Sequence, residues 1–67
     1  MPTTITVAHS DFGKFKTVSI EDQFSFDYLG YSDDGRYVRV YGLPSTILNI
    51  TSSLIENHIK FTMQEMI

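Results

Sequence analysis

The feature that most limits how this chain can fold is a sharp change in composition at Gly42. Residues 1–42 hold all four glycines and eight of the nine aromatics (Phe12, Phe15, Phe24, Phe26, Tyr28, Tyr31, Tyr37 and Tyr41), and only Phe61 follows. Aromatic and β-branched residues punctuated by glycine read as strands and turns. After Pro44 there is neither glycine nor proline, so no residue of that segment is an outright helix breaker. With 67 residues there is room for one domain. The reading is therefore α+β in a single domain over residues 1–67, β-rich over 1–43 and helical over 45–66.

Alternation places four strands. Residues 3–8 put Ile5 and Val7 between threonines, and residues 14–20 put Val18 and Ile20 on one face after an Asp11-Phe12-Gly13 turn. Phe24, Phe26 and Tyr28 alternate with Ser25, Asp27 and Leu29, and Val38 and Val40 alternate with Tyr37, Arg39 and Tyr41. Side-chain facing selects the hairpin register. A two-residue Asp34-Gly35 loop would leave the aromatics and the valines on opposite faces. A three-residue loop, with Gly35 left-handed, pairs Gly30 with Val38 and Tyr28 with Val40 and brings them together. The expectation is a small antiparallel sheet of about four strands with one C-terminal helix packed on one face. Its core is read as Ile5, Val7, Val18, Ile20, Phe24, Phe26, Val38, Val40, Ile47, Ile50, Leu54 and Phe61.

Ser45 or Thr46 reads as the N-cap of the C-terminal helix. The β-branched and polar stretch from Thr46 to Ser53 leaves a fifth strand over 45–51 as the alternative. At 100° per residue Ile47, Ile50, Leu54, His58 and Phe61 form a stripe sufficient to cover the sheet. Leu48, Ile55, Ile59, Met63 and Met66 form a second stripe beside it. A chain this short buries only about 60% of its unfolded surface. Cysteine is absent, so no disulfide can compensate. The second stripe therefore reads as a homodimer interface, the competing account being that residues 1–10 wrap over it.

Catalytic chemistry is not legible. No spacing marks a nucleophile elbow or a zinc helix, so neither catalytic residues nor metal ligands nor a cofactor are assigned. His58 reads as a structural histidine on the apolar side of the helix, His9 as an exposed strand end, and Asp33-Asp34 as turn chemistry. Asn49-Ile50-Thr51 matches a glycosylation acceptor, but it falls within the expected helix. Lys14 and Lys16 flank Phe15, and Arg36 and Arg39 flank Tyr37, elements of a base-stacking platform. Eight acidic residues against five basic ones, a net charge of -3, make nucleic acid an unfavoured partner. No apolar run reaches the ~18 residues of a membrane span, and no basic start precedes an apolar stretch, so a cytoplasmic protein is expected.

One surface stands out. In the expected register Leu29, Tyr31, Tyr37, Arg39 and Tyr41 all face away from the helix, and Tyr and Arg are the residue types enriched at interface hot spots. The lead reading is a non-enzymatic protein-interaction module, for example a small inhibitor that occludes a partner protein. Compact acidic chains of this size recur among phage-encoded inhibitors, an association of size and charge that names no residue. The alternative is a small-ligand or nucleotide binder that stacks a ring on the exposed tyrosines.

Overall fold

Residues 2–65 are described by the structure, a computed structural model. Two helices and four strands alternate in the order β1 (Pro2–Val7), α1 (Phe12–Glu21), β2 (Phe26–Ser32), β3 (Gly35–Tyr41), α2 (Pro44–Glu56) and β4 (Phe61–Glu65), with a 3-10 turn at His9–Asp11. The sheet is antiparallel throughout and runs β2-β3-β1-β4. Two β-α-β units thus interleave their strands, a split β-α-β arrangement. The α+β class and a sheet of four antiparallel strands are as the sequence predicts, but only three of the four expected strands are among them. The helix count and the ends of the C-terminal element are not.

Residues 14–20 are not a strand but the body of α1. Phe12, Phe15, Val18 and Ser19 are buried at helical spacing, whereas Ile20, expected in the core, is 77% exposed. What decides for the helix is the aromatic cluster. Phe12 stacks on Phe15 at 5.8 Å between centroids, and Phe15 meets Phe24 and Phe26 edge-on at 5.9 and 4.9 Å. Such pairs add about 0.5–1.5 kcal/mol each beyond area burial, enough to override the weak β preference of Thr17, Val18 and Ile20. The Thr17 and Ser19 hydroxyls donate back to the Gly13 and Lys16 carbonyls, so neither competes with the helix.

Both helices stop by the same device, and neither uses glycine. After α1, Gln23 takes φ 59°; its N–H donates to the Ile20 carbonyl and the Phe24 N–H to the Ser19 carbonyl. After α2, His58 takes φ 58°; its N–H donates to the Ile55 carbonyl and the Ile59 N–H to the Leu54 carbonyl, both at 3.0 Å. These paired bonds satisfy orphan carbonyls and bring an apolar residue back onto the last turn. Here Ile59 returns to the core with Leu54. The helix expected to reach residue 66 therefore ends at Glu56, and residues 61–65 become a strand beside β1. His58 is exposed outside the helix, and Ile59, expected at a dimer interface, is buried at 4% exposure. A side chain in the left-handed region costs about 1 kcal/mol that glycine does not incur. His58→Gly is accordingly expected to raise the melting temperature by several degrees, and a fall in thermal denaturation would contradict this cap.

At its start α2 has Leu43 as N-cap without a side-chain bond and Pro44 in the first turn, so Ser45 and Thr46 do not cap it. Proline fits there because the missing N–H would have no helical acceptor. Residues 45–51 are helical, not a fifth strand, with Ile47, Ile50, Thr51 and Leu54 buried.

The hairpin corrects the register while keeping the facing. Ser32 pairs with Gly35 around a two-residue Asp33-Asp34 turn, Tyr28 with Val38 and Phe26 with Val40. The register shifts between Tyr28 and Gly30, leaving Leu29 as the extra residue of a bulge. That insertion is what returns Phe26 and Tyr28 to the side of Val38 and Val40. Gly35 is therefore the first residue of β3, not a turn residue. The core gathers Ile5, Val7, Val38 and Val40 of the sheet with Phe12, Phe15, Val18, Ile47, Ile50, Leu54 and Ile59, and Phe24, Phe26 and Phe61 pack half-buried at its rim. All of it lies on one side of the sheet.

Candidate functional site, the helix-free face of the sheet

With both helices on one side, the other side of the sheet has no covering layer among the described residues. Strand parity decides what it displays. Val38 and Val40 are fully buried, so Tyr37, Arg39 and Tyr41 point the opposite way. Their partners on β1 are Thr6, Thr4 and Pro2, and beyond Thr6 lies Thr62 of β4. Asp27 of β2 lies opposite Arg39.

The polar groups of this face are unevenly satisfied. The Tyr41 hydroxyl donates to Asp27 Oδ2 at 2.6 Å, which occupies the nearest carboxylate. The Tyr37 and Ser32 hydroxyls share a hydrogen bond of 2.5 Å, and the Asp34 N–H donates to the same serine at 3.2 Å, tying Tyr37 to the turn. Arg39 has neither kind of support. It forms no ion pair among the described residues, and its Nε is buried without a hydrogen-bond partner. A buried unpaired donor costs about 1–3 kcal/mol, so the centre of the face holds a guanidinium with hydrogen-bonding capacity unused.

Beside Tyr37 the face dips into an open groove of about 660 Å³, lined by Thr6, Ala8, Asp34, Tyr37, Lys60 and Thr62 together with Ile59 and Phe61. Its far wall exists because the loop after α2 is stitched to the end of β1. The Ala8 N–H donates to the Lys60 carbonyl, and the Lys60 N–H donates to Asp11 Oδ2, both at 3.0 Å.

Of the five residues expected on one face, three are together. Tyr37, Arg39 and Tyr41 share it. Leu29 sits in the bulge, 43% exposed. Tyr31 pairs with Arg36 instead of Tyr37, and both lie on the helix side: the Arg36 guanidinium is 4.8 Å from the Phe12 ring centroid, and Tyr31 meets the His9 ring edge-on. The bulge reverses parity past Leu29, which is why Tyr31 changes sides. The base-stacking elements separate as well, since Phe15 is fully buried in α1 and Arg36 and Arg39 occupy opposite faces of β3. Lys60 and Thr62 were not legible as site residues because β4 reads as helix, although Phe61-Thr62-Met63-Gln64 alternates; Thr4 and Thr6 were not because the sequence does not reveal that β1 pairs with β3.

His9 Nε2–H donates to the Ser32 carbonyl at 2.6 Å, and Asp33 and Asp34 form the turn. Ile50 and Thr51 of the acceptor pattern are buried in α2. Among the described residues no three metal-ligating side chains cluster, and no helix is long and apolar enough to cross a membrane. No protein-family model, curated protein or solved structure matches the chain significantly. The split β-α-β arrangement serves many functions and names none.

Proposed function

We propose that the chain is a non-enzymatic protein-binding module that engages its partner through the helix-free face of the sheet. The observation that carries this is Arg39: a guanidinium at the centre of an uncovered face, without an ion pair among the described residues, between two tyrosines. Arg and Tyr at the middle of a patch are the usual hot-spot types, and the flanking threonines supply an uncharged surround. The partner chemistry that completes this site is a carboxylate or a carbonyl cluster presented to Arg39. A module of this kind acts by occlusion, as a small inhibitor of a cytoplasmic partner would.

Arg39→Ala tests it cleanly, because the variant also removes the unpaired Nε. Relief of that buried donor is expected to leave fold stability unchanged or raised, while a hot-spot arginine costs about 2 kcal/mol or more, some thirtyfold in affinity. Tyr37→Ala with Arg39→Ala is expected to abolish capture of the partner from an extract of the source cells, with the circular dichroism spectrum retained. Identical sets of captured proteins for the wild type and the double variant would contradict the proposal.

The groove beside Tyr37 supports a second reading, a small ligand or nucleotide held against that ring near Lys60, since its volume lies in the range of ligand sites. A nucleotide that binds only the folded chain must raise its melting temperature. A shift seen with the wild type and lost in Lys60→Ala would favour this reading.

A further inference from the structure

The sheet also has two edges, and they differ. β2 and β4 are the two edge strands. β2 is blunted: it carries the bulge at Leu29, Gly30 at φ 147° and the charged Asp27. Natural sheets protect an edge in this way. β4 ends in the charged Glu65 but has neither bulge nor proline, and its described backbone pairs on one side only, with β1.

Beside β4 runs an apolar flank. Met63 lies opposite buried Ile5, so it faces the helix layer, yet it remains 46% exposed. On α2, Thr46, Asn49 and Ser53 look toward the end of α1, with which they line a shallow pocket. Leu48 and Ile55 occupy the opposite flank, 65% and 66% exposed, which is the flank toward β4. Glu56 is the one charged residue in the thirteen of α2.

We infer that the β4 edge, with Leu48, Ile55 and Met63, is a docking surface for a second copy of this chain. Antiparallel pairing of β4 with its copy requires a two-fold axis perpendicular to the sheet. That axis keeps both helix layers on one side and brings each Leu48–Ile55 flank against its counterpart. A chain of net charge -3 repels its own copy, and this flank of α2 is a surface where that repulsion is least. Because the other edge is blunted, assembly closes at two instead of growing into a fibre. The β4 edge is about 17 Å long at 3.4 Å per residue, and the molecule is 16 Å in its shortest extent. A wall of that size covers roughly 270 Å² per subunit, which places the contact among weak, transient interfaces. The dimer is therefore expected to form toward the upper end of the micromolar range. Of the residues read from the sequence as a dimer interface, Leu48, Ile55 and Met63 remain in it, Ile59 is in the core, and Met66 lies outside the described residues.

Sedimentation equilibrium on the full chain, from about 1 to about 500 μM, reads the result directly. The weight-average mass is expected to rise from 7.7 kDa toward double that value across that range. Leu48→Glu with Ile55→Glu is expected to hold it at the monomer value with an unchanged circular dichroism spectrum. Should that pair disturb folding, Met63→Lys, which places a charge at the strand edge, must give the same monomeric mass. Ile20→Glu, an equally exposed apolar position on α1, is expected to leave the doubling intact. A monomer at every concentration overturns the inference and leaves the flank to a different partner. A doubling that survives the Leu48/Ile55 and Met63 variants, or that is lost in Ile20→Glu, places the contact elsewhere and overturns it too.

Discussion

Phe15→Ala is expected to remove about 3–5 kcal/mol of stability, enough to leave much of the protein unfolded at 25 °C. Phe15 is fully buried, and its ring contacts Phe12, Phe24 and Phe26. The variant therefore loses the transfer energy of a phenyl group and three aromatic contacts together. At roughly 0.05–0.15 kcal/mol per residue, a domain of 67 residues has only about 3–10 kcal/mol in total. The same substitution separates two folds. If residues 14–20 were a strand with Val18 and Ile20 inward, Phe15 would point to solvent and its loss would cost under about 1 kcal/mol. Urea denaturation of Phe15→Ala beside Ile20→Ala distinguishes them: the helix predicts a large loss for the first and almost none for the second, and the reverse order would refute α1.

Gly35→Ala is expected to be comparably damaging, by about 3 kcal/mol or more, for two reasons that add. Gly35 opens β3 at φ 152°, where a side chain is strained. A Cβ there would also run into the Val7 carbonyl oxygen, with Thr6 Cγ2 at 3.2 Å. Those Val7 atoms belong to the backbone of the neighbouring strand, so relief requires β1 and β3 to separate at the end of the core. Gly30→Ala is the control, since Gly30 has φ 147° but open space around its missing Cβ. It is expected to lose only the conformational part, about 1–2 kcal/mol. Equal losses in the two variants would mean that the close approach of β1 is not as described.

These two positions also show what the sequence could and could not convey. Within β3 the alternation of Tyr37, Arg39 and Tyr41 against Val38 and Val40 is a property of one strand, so it survived an incorrect hairpin register. Tyr31 did not, because it lies past the bulge at Leu29, and one unpaired residue reverses every face beyond it. Destabilisation by Gly35→Ala follows from either account of the turn, but the reason moved from a left-handed turn residue to a strand residue pressed against its neighbour. The helical phase of Phe12, Phe15 and Val18 was present in the sequence. It was outweighed by the shorter alternation of Val18 and Ile20, and only the aromatic packing of β2 decides between them. β4 was hidden for a different reason. The signal expected to end α2 was glycine, and the chain uses His58 in a left-handed conformation instead. Everything after it was assigned to the wrong element, including Ile59, Lys60 and Thr62.

On the proposed function, the partner touches the helix-free face of the sheet and not the helix layer. Site-specific photocrosslinking addresses it without knowledge of the partner. A photoreactive phenylalanine analogue replaces Tyr41, 51% exposed on the helix-free face, or Ile20, 77% exposed on α1. Both variants are irradiated in an extract of the source cells. The account predicts one dominant adduct from position 41, competed by excess wild-type protein but not by Arg39→Ala, and no such adduct from position 20. A competable adduct formed from position 20 and absent from position 41 would contradict it.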